Sequence, residues 1–459
     1  MATQPANDTT HDPLDGWSLP AWTYRDPDFF AAEQERVFRP SWQVVCHESD
    51  VPAEGDWHSL DYLGESVIVV RGKDMALRAF TNVCRHRGSR LVDGSSGCAK
   101  KLVCPYHAWT YDLDGRLTGV PDSASYPTLD RSKAGLVPVD LEIWRGFVFV
   151  RLAPPHSLNG EGDHPQGGGG VSSVGDTPPP SFGRSPSPSG AWGGSVAQMM
   201  QPYEAMVEPY RFEDLRALGR VTLRPRSINW KNIGDNYSDG LHIPVAHPGL
   251  TRLFGKSYGV EAEPHVDRMW GEMVDRPSDN WSERLYQRLL PPVPHLPENR
   301  QRFWLYFKLW PNVAFDIYPD QVDFMQFLPV SPTESLIREI SYVLPDAPDY
   351  KWRREMRAAR YLNWRINRQV NAEDTVLITR VQDGMQSKSF SMGPLSDKEV
   401  CLKHFCRRMR ELIPEARLEH APAAGWSRQS PSPSGEGLGW GLSPSARDLD
   451  HTPQPRPLP

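Results

Sequence analysis

The stretch TNVCRHRGSRLVDGSSGCAKKLVCPYHAWTYDLDGRLTGV, residues 81–120, decides how this chain is read. It holds Cys84-x-His86 and, after seventeen intervening residues, Cys104-x2-His107. Two short Cys/His pairs on separate loops can converge on a metal centre. Two cysteines and two histidines suit a structural zinc, which takes four such ligands in a tetrahedron. They equally suit a 2Fe–2S cluster in which cysteines hold one iron and histidines the other. The ligands alone leave both open. Cys46, Cys98, Cys401 and Cys406 have no such company and read as small incidental thiols. Six cysteines in 459 residues make no disulfide scaffold.

Working outward, residues 41–153 alternate short apolar runs (WQVVCH, SVIVV, KLVCPYHAW, GFVFVRL) with turns at Gly64, Gly72, Asp114-Gly115 and Gly146. That pattern predicts a small antiparallel β domain. Residues 1–40 read as an arm followed by one helix, about Asp28 to Phe38, stopped by Pro40. Residues 154–197 turn Gly/Ser/Pro-rich and cannot bury enough apolar surface to offset ordering entropy, so they read as a disordered insert. A tail over 423–459 has the same composition, with SPSPSGAWGG at 185–194 nearly repeated as SPSPSGEGLGWG at 430–441.

Between insert and tail, 198–422 mixes both periods. RFWLYFKLWPNVAFDIYPDQVDFMQFLPVS and SLIREISYVL read as strands of one antiparallel sheet. YKWRREMRAARYLNWRINRQVNAEDTVLITRVQDGM, without Gly or Pro until its end, predicts a long helix, and SDKEVCLKHFCRRMRELIPEA a second with Ser396 as N-cap and Glu399 three positions on. The class is α+β, an all-β domain followed by a larger one of sheet and helices.

The formal charge of −6 argues against nucleic acid, whose ligands need clustered Lys and Arg to displace counterions. No apolar run approaches the roughly 18–20 residues that cross a bilayer. The start, MATQPANDTTHDPLDGW, lacks the basic and apolar regions of a secretory signal. A soluble, cytoplasmic protein is expected, away from membranes. No Gly-x-Gly-x-x-Gly stands between a strand and a helix, so NAD(P)H is expected to bind another chain.

A second segment, NWKNIGDNYSDGLHIPVAHPGL at 229–250, places His242 and His247 five apart. On a straight helix they would point about 140° apart. Pro244 between them can break the helix and bring both to one ion.

CRHRG and CPYHAWTYDLDG resemble the Rieske domain of ring-hydroxylating oxygenases almost letter for letter, and 229–250 resembles the catalytic segment of the same family. The resemblance covers most of 40–153 and 199–415, and departs at the insert and the tail. It implies a Rieske domain over 41–153 and, over 198–422, a helix-grip (START-like) domain of antiparallel sheet flanked by helices. It makes Cys84 and Cys104 ligands of one iron and His86 and His107 of the other, with Trp109 and Tyr111 over the cluster and tight turns at Gly88 and Gly115. It makes His242, His247 and Asp374 the ligands of a mononuclear Fe(II), with Glu373 as the adjacent rival; two histidines and a carboxylate on one face leave positions open for oxygen. Asp239 then links the Rieske histidine of one subunit to an iron-binding histidine of its neighbour. Asp235, Asn236 and Tyr237 extend the match.

The implied protein is a terminal oxygenase component, the large (alpha) subunit. It uses O₂ and electrons from a separate NAD(P)H-dependent reductase, with or without a ferredoxin, to hydroxylate a small organic substrate. Aromatic compounds and quaternary ammonium compounds or amines are the substrate classes, and a homotrimer or larger ring the expected assembly. Trp304, Tyr306, Trp310, Phe315 and Tyr318 can cage a cation, although alternation along strands also describes core. Two other classes compete: a Rieske electron-transfer protein with an inert second domain, and a zinc-stapled interaction protein.

Overall fold

The computed structural model describes residues 12–152, 194–346 and 349–429. Most of the 154–197 insert and most of the 423–459 tail therefore lie outside the described residues. An N-terminal arm leads into helix α1 (Pro27–Glu33), capped by the Asp26 carboxylate, and one wider turn over Gln34–Phe38 completes the expected helix.

Strand β1 (Gln43–His47) pairs with β10 (Phe147–Arg151), which pairs with β9 (Asp140–Trp144). Between them run two further antiparallel sheets. One holds β2 (Asp56–Tyr62), β3 (Glu65–Arg71), β4 (Leu77–Thr81) and β5 (Ser96–Cys98) in the order β4-β3-β2-β5. The other is β6 (Leu102–Val103), β7 (Thr110–Tyr111) and β8 (Leu117–Gly119). Their facing side chains, among them Trp57, Ile68, Phe80, Trp109 and Tyr111, form a small core that includes Cys84 and Cys104.

After the undescribed segment the chain resumes at α2 (Val196–Met200), whose N-cap Ser195 shares a capping box with Gln198, and continues to α3 (Glu204–Val207). Order thus begins inside the residues assigned to the insert: Val196 is fully buried, and Glu142 on β9 accepts from its backbone N–H.

The larger domain is an eight-stranded antiparallel sheet. It comprises β11 (Arg216–Ala217), β12 (Thr222–Arg226), β13 (Gly259–Glu263), β14 (Val266–Glu272), β15 (Phe303–Leu309), β16 (Val313–Ile317), β17 (Val322–Ser331) and β18 (Glu334–Val343). Both faces of the central strands are covered, so they read as near-continuous apolar runs. Leu305, Phe307, Phe315 and Phe324 pack with Trp144, Phe147 and Phe149 of the first domain. The opposite face receives α4 (Trp230–Ser238), α5 (Ile243–Ala246), α6 (Pro248–Phe254), α7 (Trp281–Leu289) and the 32-residue α8 (Arg353–Gly384). The edge pair β13–β14 was not anticipated: β13 has no buried residue and Pro264 follows it, so neither run nor alternation marks it.

Helix α9 (Val400–Leu412) starts three residues later than the Ser396 cap implies, with Glu399 at its N-cap. Glu399 does reach back, accepting from the Ser396 N–H at 2.5 Å, but that pair closes a turn ahead of the helix. The fold also runs past 423. Helix α10 (Trp426–Gln429) seats Trp426, only 7% exposed, edge-on against Trp22 and beside Phe29. Trp426→Ala is expected to cost about 3 kcal/mol, the scale of a large-to-small core change, read as a lower denaturation midpoint with an unchanged slope. Among the described residues no helix is long and apolar enough to cross a membrane.

Candidate metal centres

The loops carrying the two Cys/His pairs have the same backbone. In each the cysteine carbonyl accepts from the N–H four residues on (Gly88, 3.1 Å; Ala108, 3.0 Å). In each the cysteine N–H donates to the carbonyl five residues on (Ser89 for Cys84, Trp109 for Cys104, both 2.8 Å). The fourth residue after each cysteine is left-handed, Gly88 at φ +71° and Ala108 at φ +54°. Gly88 accepts that conformation freely, whereas Ala108 carries a Cβ into it, a strained position of the kind that clusters at functional sites. Gly115, at φ +82°, closes the Asp112–Gly115 turn as expected.

Those loops bring the four residues together. Cys84 and Cys104 are buried, and the rings of His86 and His107 stand 4.7 Å apart, half-buried. Trp109 stacks on His86 at 4.8 Å and 9°, and Tyr106 lies over His107 at 3.8 Å. Tyr111 sits behind the thiols, its hydroxyl 3.4 Å from the Cys84 sulfur. Burial works against a thiolate at Cys104, but the N–H groups of Tyr106 and His107 outweigh it and lower its pKa, which suits a metal-bound sulfur. The buried Nδ1 of His107 has no protein partner. Only His242, His247 and Asp374, among the described residues, bring three ligand atoms within 4.8 Å of one another. The Cys/His quartet is thus spread wider than one zinc ion requires, and its donors fit a two-iron cluster.

The second site is built at the end of α4. Asn229 caps this helix by accepting from the Lys231 N–H, and buried Trp230 and Ile233 seat it on the sheet. Lys231, fully buried, is neutralised by Glu33 of α1 at 2.6 Å. The helix ends at Ser238, and Asp239 is already extended (φ −80°, ψ 123°). His242 and His247 then bracket the single turn α5, with Pro244 at its start and Pro248 opening α6. Pro244 therefore begins a turn rather than breaking a continuous helix, and the two imidazoles meet with their Nε2 atoms 3.1 Å apart.

Asp374 on α8 closes the group, its Oδ1 at 2.9 Å from His247 Nε2 and 3.6 Å from His242 Nε2. Asn236 donates to the same oxygen at 2.7 Å. The far nitrogen of each histidine also faces a carboxylate: His242 Nδ1 lies 2.9 Å from Asp239, and His247 Nδ1 lies 2.8 Å from Glu373. Glu373 and Asp374, consecutive residues of one helix, straddle His247, one on each ring nitrogen, and Asp374 is the one that also approaches His242 Nε2. Carboxylates behind metal-binding histidines fix tautomer and ring orientation. Glu373→Ala is expected to weaken Fe(II) binding about 10- to 100-fold in a metal titration of the apoprotein.

The charge balance favours a cation at this point. Burial opposes charge on His242, but hydrogen bonding to Asp239 and Asp374 prevails and pushes its pKa up to about 9. Burial likewise opposes charge on Asp374, and the two histidines bring it down to about 2. Asp235 turns away from the site, accepting from the Tyr24 hydroxyl at 2.8 Å, and burial pushes it up to about 6. Tyr237 donates to Asp316 on β16.

A cavity of about 660 Å³ opens beside His242, His247 and Asp374. Of the five aromatics proposed as a cage, Tyr306 and Tyr318 line it. Trp304, Trp310 and Phe315 belong to hydrophobic clusters instead, as strand alternation allowed. Asp316 and Asp323 also line the cavity and were missed, because acids inside a strand pattern look like its solvent-facing positions.

Residues 41–130 match the Rieske [2Fe-2S] domain, and residues 212–415 match the ring hydroxylating alpha subunit catalytic domain. The carnitine monooxygenase oxygenase subunit of Escherichia coli K12 is 35% identical over 271 residues, 59% of either chain. The glycine betaine monooxygenase oxygenase subunit of Pseudomonas aeruginosa is 30% identical over 284 residues, 61% of this chain and 56% of that one. The matched region thus spans less than two thirds of these relatives' length. Among solved structures, a quaternary ammonium Rieske monooxygenase superposes with a TM-score of 0.66 at 22% identity, covering 91% of this chain and 100% of the other. Naphthalene 1,2-dioxygenase superposes at 0.61 with 18% identity over 88% and 97%. With both domain models in tandem, and with the donors they call for gathered at two centres, the chain belongs to the Rieske-type ring-hydroxylating oxygenase alpha subunits.

Proposed function

We propose that this chain is the terminal oxygenase component of a multicomponent hydroxylase. The observation that carries the reading is the convergence of His242, His247 and Asp374, each histidine backed by its own carboxylate. An electron carrier with an inert second domain has no use for that convergence. In this reading Cys84, His86, Cys104 and His107 hold the 2Fe–2S cluster, and His242, His247 and Asp374 hold Fe(II). The cluster supplies single electrons and the iron supplies a site for O₂.

The chain's own residues bind, orient and tune. Trp109 fixes the plane of His86, and the Tyr106 and His107 N–H groups stabilise negative charge on Cys104. Asn236 holds Asp374 in place, and Asp239 and Glu373 present Nε2 of each histidine to the ion. Asp239, which also accepts from the Leu241 N–H at 2.7 Å, is the link to a neighbouring subunit's cluster in a trimer or larger ring. Electrons come from a separate NAD(P)H-dependent reductase, directly or through a ferredoxin, in the cytoplasm. The cluster domain occupies 41–153, and the iron domain begins at the Ser195 cap of α2, ahead of the expected 198, and extends past the expected 422 to Gln429. The substrate is a small aromatic compound, or an ammonium compound like those named for the carnitine and glycine betaine relatives.

The test is an iron and sulfide assay with visible and EPR spectra, followed by oxygen consumption with a surrogate reductase. About three irons and about two labile sulfides per chain are expected. A colourless, zinc-loaded protein would refute the reading, and about two irons would favour the carrier.

A further inference from the structure

One wall of the cavity is the inner face of the large sheet, and its register sets an unusual row. Tyr306 stands opposite Asp316, Asp316 opposite Asp323, and Asp323 opposite Ser341, across β15 to β18. Two carboxylates are therefore direct cross-strand neighbours on the face that lines the cavity. Like charges so placed destabilise a sheet. Burial pushes Asp316 up to about 6 and Asp323 up to about 7, the charge of Asp316 adding to the second.

What reaches the pair is neutral. Tyr237 and, at 3.4 Å, Tyr318 donate hydroxyls to Asp316. Gln321 donates to both oxygens of Asp323 at 2.8 and 3.0 Å. Among the described residues no ion pair with a Lys, Arg or His is formed by either acid; of the three arginines that also line the cavity, Arg224 is committed to Glu339, and Arg220 and Arg368 pair with neither acid. Two enclosed carboxylates without counter-charge cost stability, and such groups cluster where a ligand completes them. The rings of Tyr306 and Tyr318, 6.2 Å apart and perpendicular, add two walls on which a cation can rest.

We propose that Asp316 and Asp323 are the counter-charge for a cationic substrate, an ammonium group held between the two carboxylates and the rings of Tyr306 and Tyr318, and that this pair selects against neutral arenes. A neutral ring in the same place strips water from both acids and returns nothing to them. The inference rests on the reading of the cavity as the substrate site of the oxygenase, and it narrows the substrate to organic cations.

The test is calorimetric titration of the full metal-loaded chain at pH 8 with choline and with 3,3-dimethylbutan-1-ol, its uncharged carbon isostere. Choline is expected to bind at least about tenfold tighter than the isostere. Asp316→Asn and Asp323→Asn should each lose at least about tenfold of choline affinity while binding the isostere as before, with iron content and circular dichroism unchanged. Asp323→Glu should keep the preference for the cation. If Asp316→Asn fails to fold for want of the Tyr237 contact, Asp323→Asn alone decides. Equal affinity of the wild type for both probes, no binding of either, or choline binding unaffected by the asparagine variants would each overturn the proposal. Binding is read without turnover, so a chain lacking iron would defeat the oxygenase reading and leave this comparison standing. An iron-loaded chain without charge preference defeats only the present inference.

Discussion

Asp374→Ala should lower bound iron from about three atoms per chain to about two while leaving the visible and EPR spectra of the cluster intact. The carboxylate is the only one of the second site's three proposed ligand groups that comes from α8, some 130 residues downstream of the histidines. Its removal leaves two imidazoles, held by Asp239 and Glu373, with no carboxylate oxygen beside their Nε2 atoms to complete the ligand set. Substrate-dependent oxygen consumption should fall to background. Full iron content in this variant would show that another carboxylate, with Glu373 the nearest, serves as ligand.

Asp239→Asn should lower turnover by about 10- to 100-fold with both metals still bound. Asp239 accepts three hydrogen bonds, from the Leu241 N–H, the His242 N–H and His242 Nδ1. Asparagine keeps the size and one acceptor but removes the charge. Two roles can be separated by single-turnover experiments on prereduced protein. If Asp239 only orients His242, iron affinity falls and the reduced cluster still discharges at its normal rate. If it carries electrons towards the iron, affinity holds and cluster reoxidation in the presence of substrate and O₂ slows by about the factor seen in turnover. Unchanged turnover in Asp239→Asn would remove the residue from both roles.

Much of this was legible in the sequence because metal sites depend on few residue types at fixed spacing. CRHRG and CPYHAW specify loops that must place sulfur and nitrogen together, and the histidines of HIPVAHP sit on either side of a one-turn helix that its prolines delimit. Asp374 was reached only through family resemblance, since an acid in a helix rich in Arg, Glu and Asp carries no local mark. Glu373 was weighed as a ligand because adjacency along the chain hides that neighbours in a helix diverge by about 100° and can reach opposite sides of one ring. The carboxylate pair was out of reach for a different reason. Asp316 and Asp323 become neighbours only through strand register, which the alternating pattern of each strand does not report. Trp426 was lost because composition describes 423–459 as a whole, and a single aromatic in a Gly/Ser/Pro context carries no periodic mark of the short helix it anchors.

The pairing of β1 with β10 has a practical side. Gln43 lies opposite Val150, so the chain enters and leaves the cluster-bearing part of the molecule at the same end of one antiparallel ladder. That part is bounded by adjacent splice points near Trp42 and Leu152, so it is expected to be exchangeable between homologues as one fragment. The donor fragment must keep the face formed by Val44, Phe147 and Phe149, which rests on Phe315 and Phe324 of the recipient sheet. It must also keep the second face of Val148 and Val150, which shares a core with Trp230 and Phe405, and the Gln43 side chain and Val44 and Val45 carbonyls that meet Asn312, Gln326 and Arg338. Chimeras made on those terms would transplant a reduction potential without touching the cavity, separating the supply of electrons from the choice of substrate.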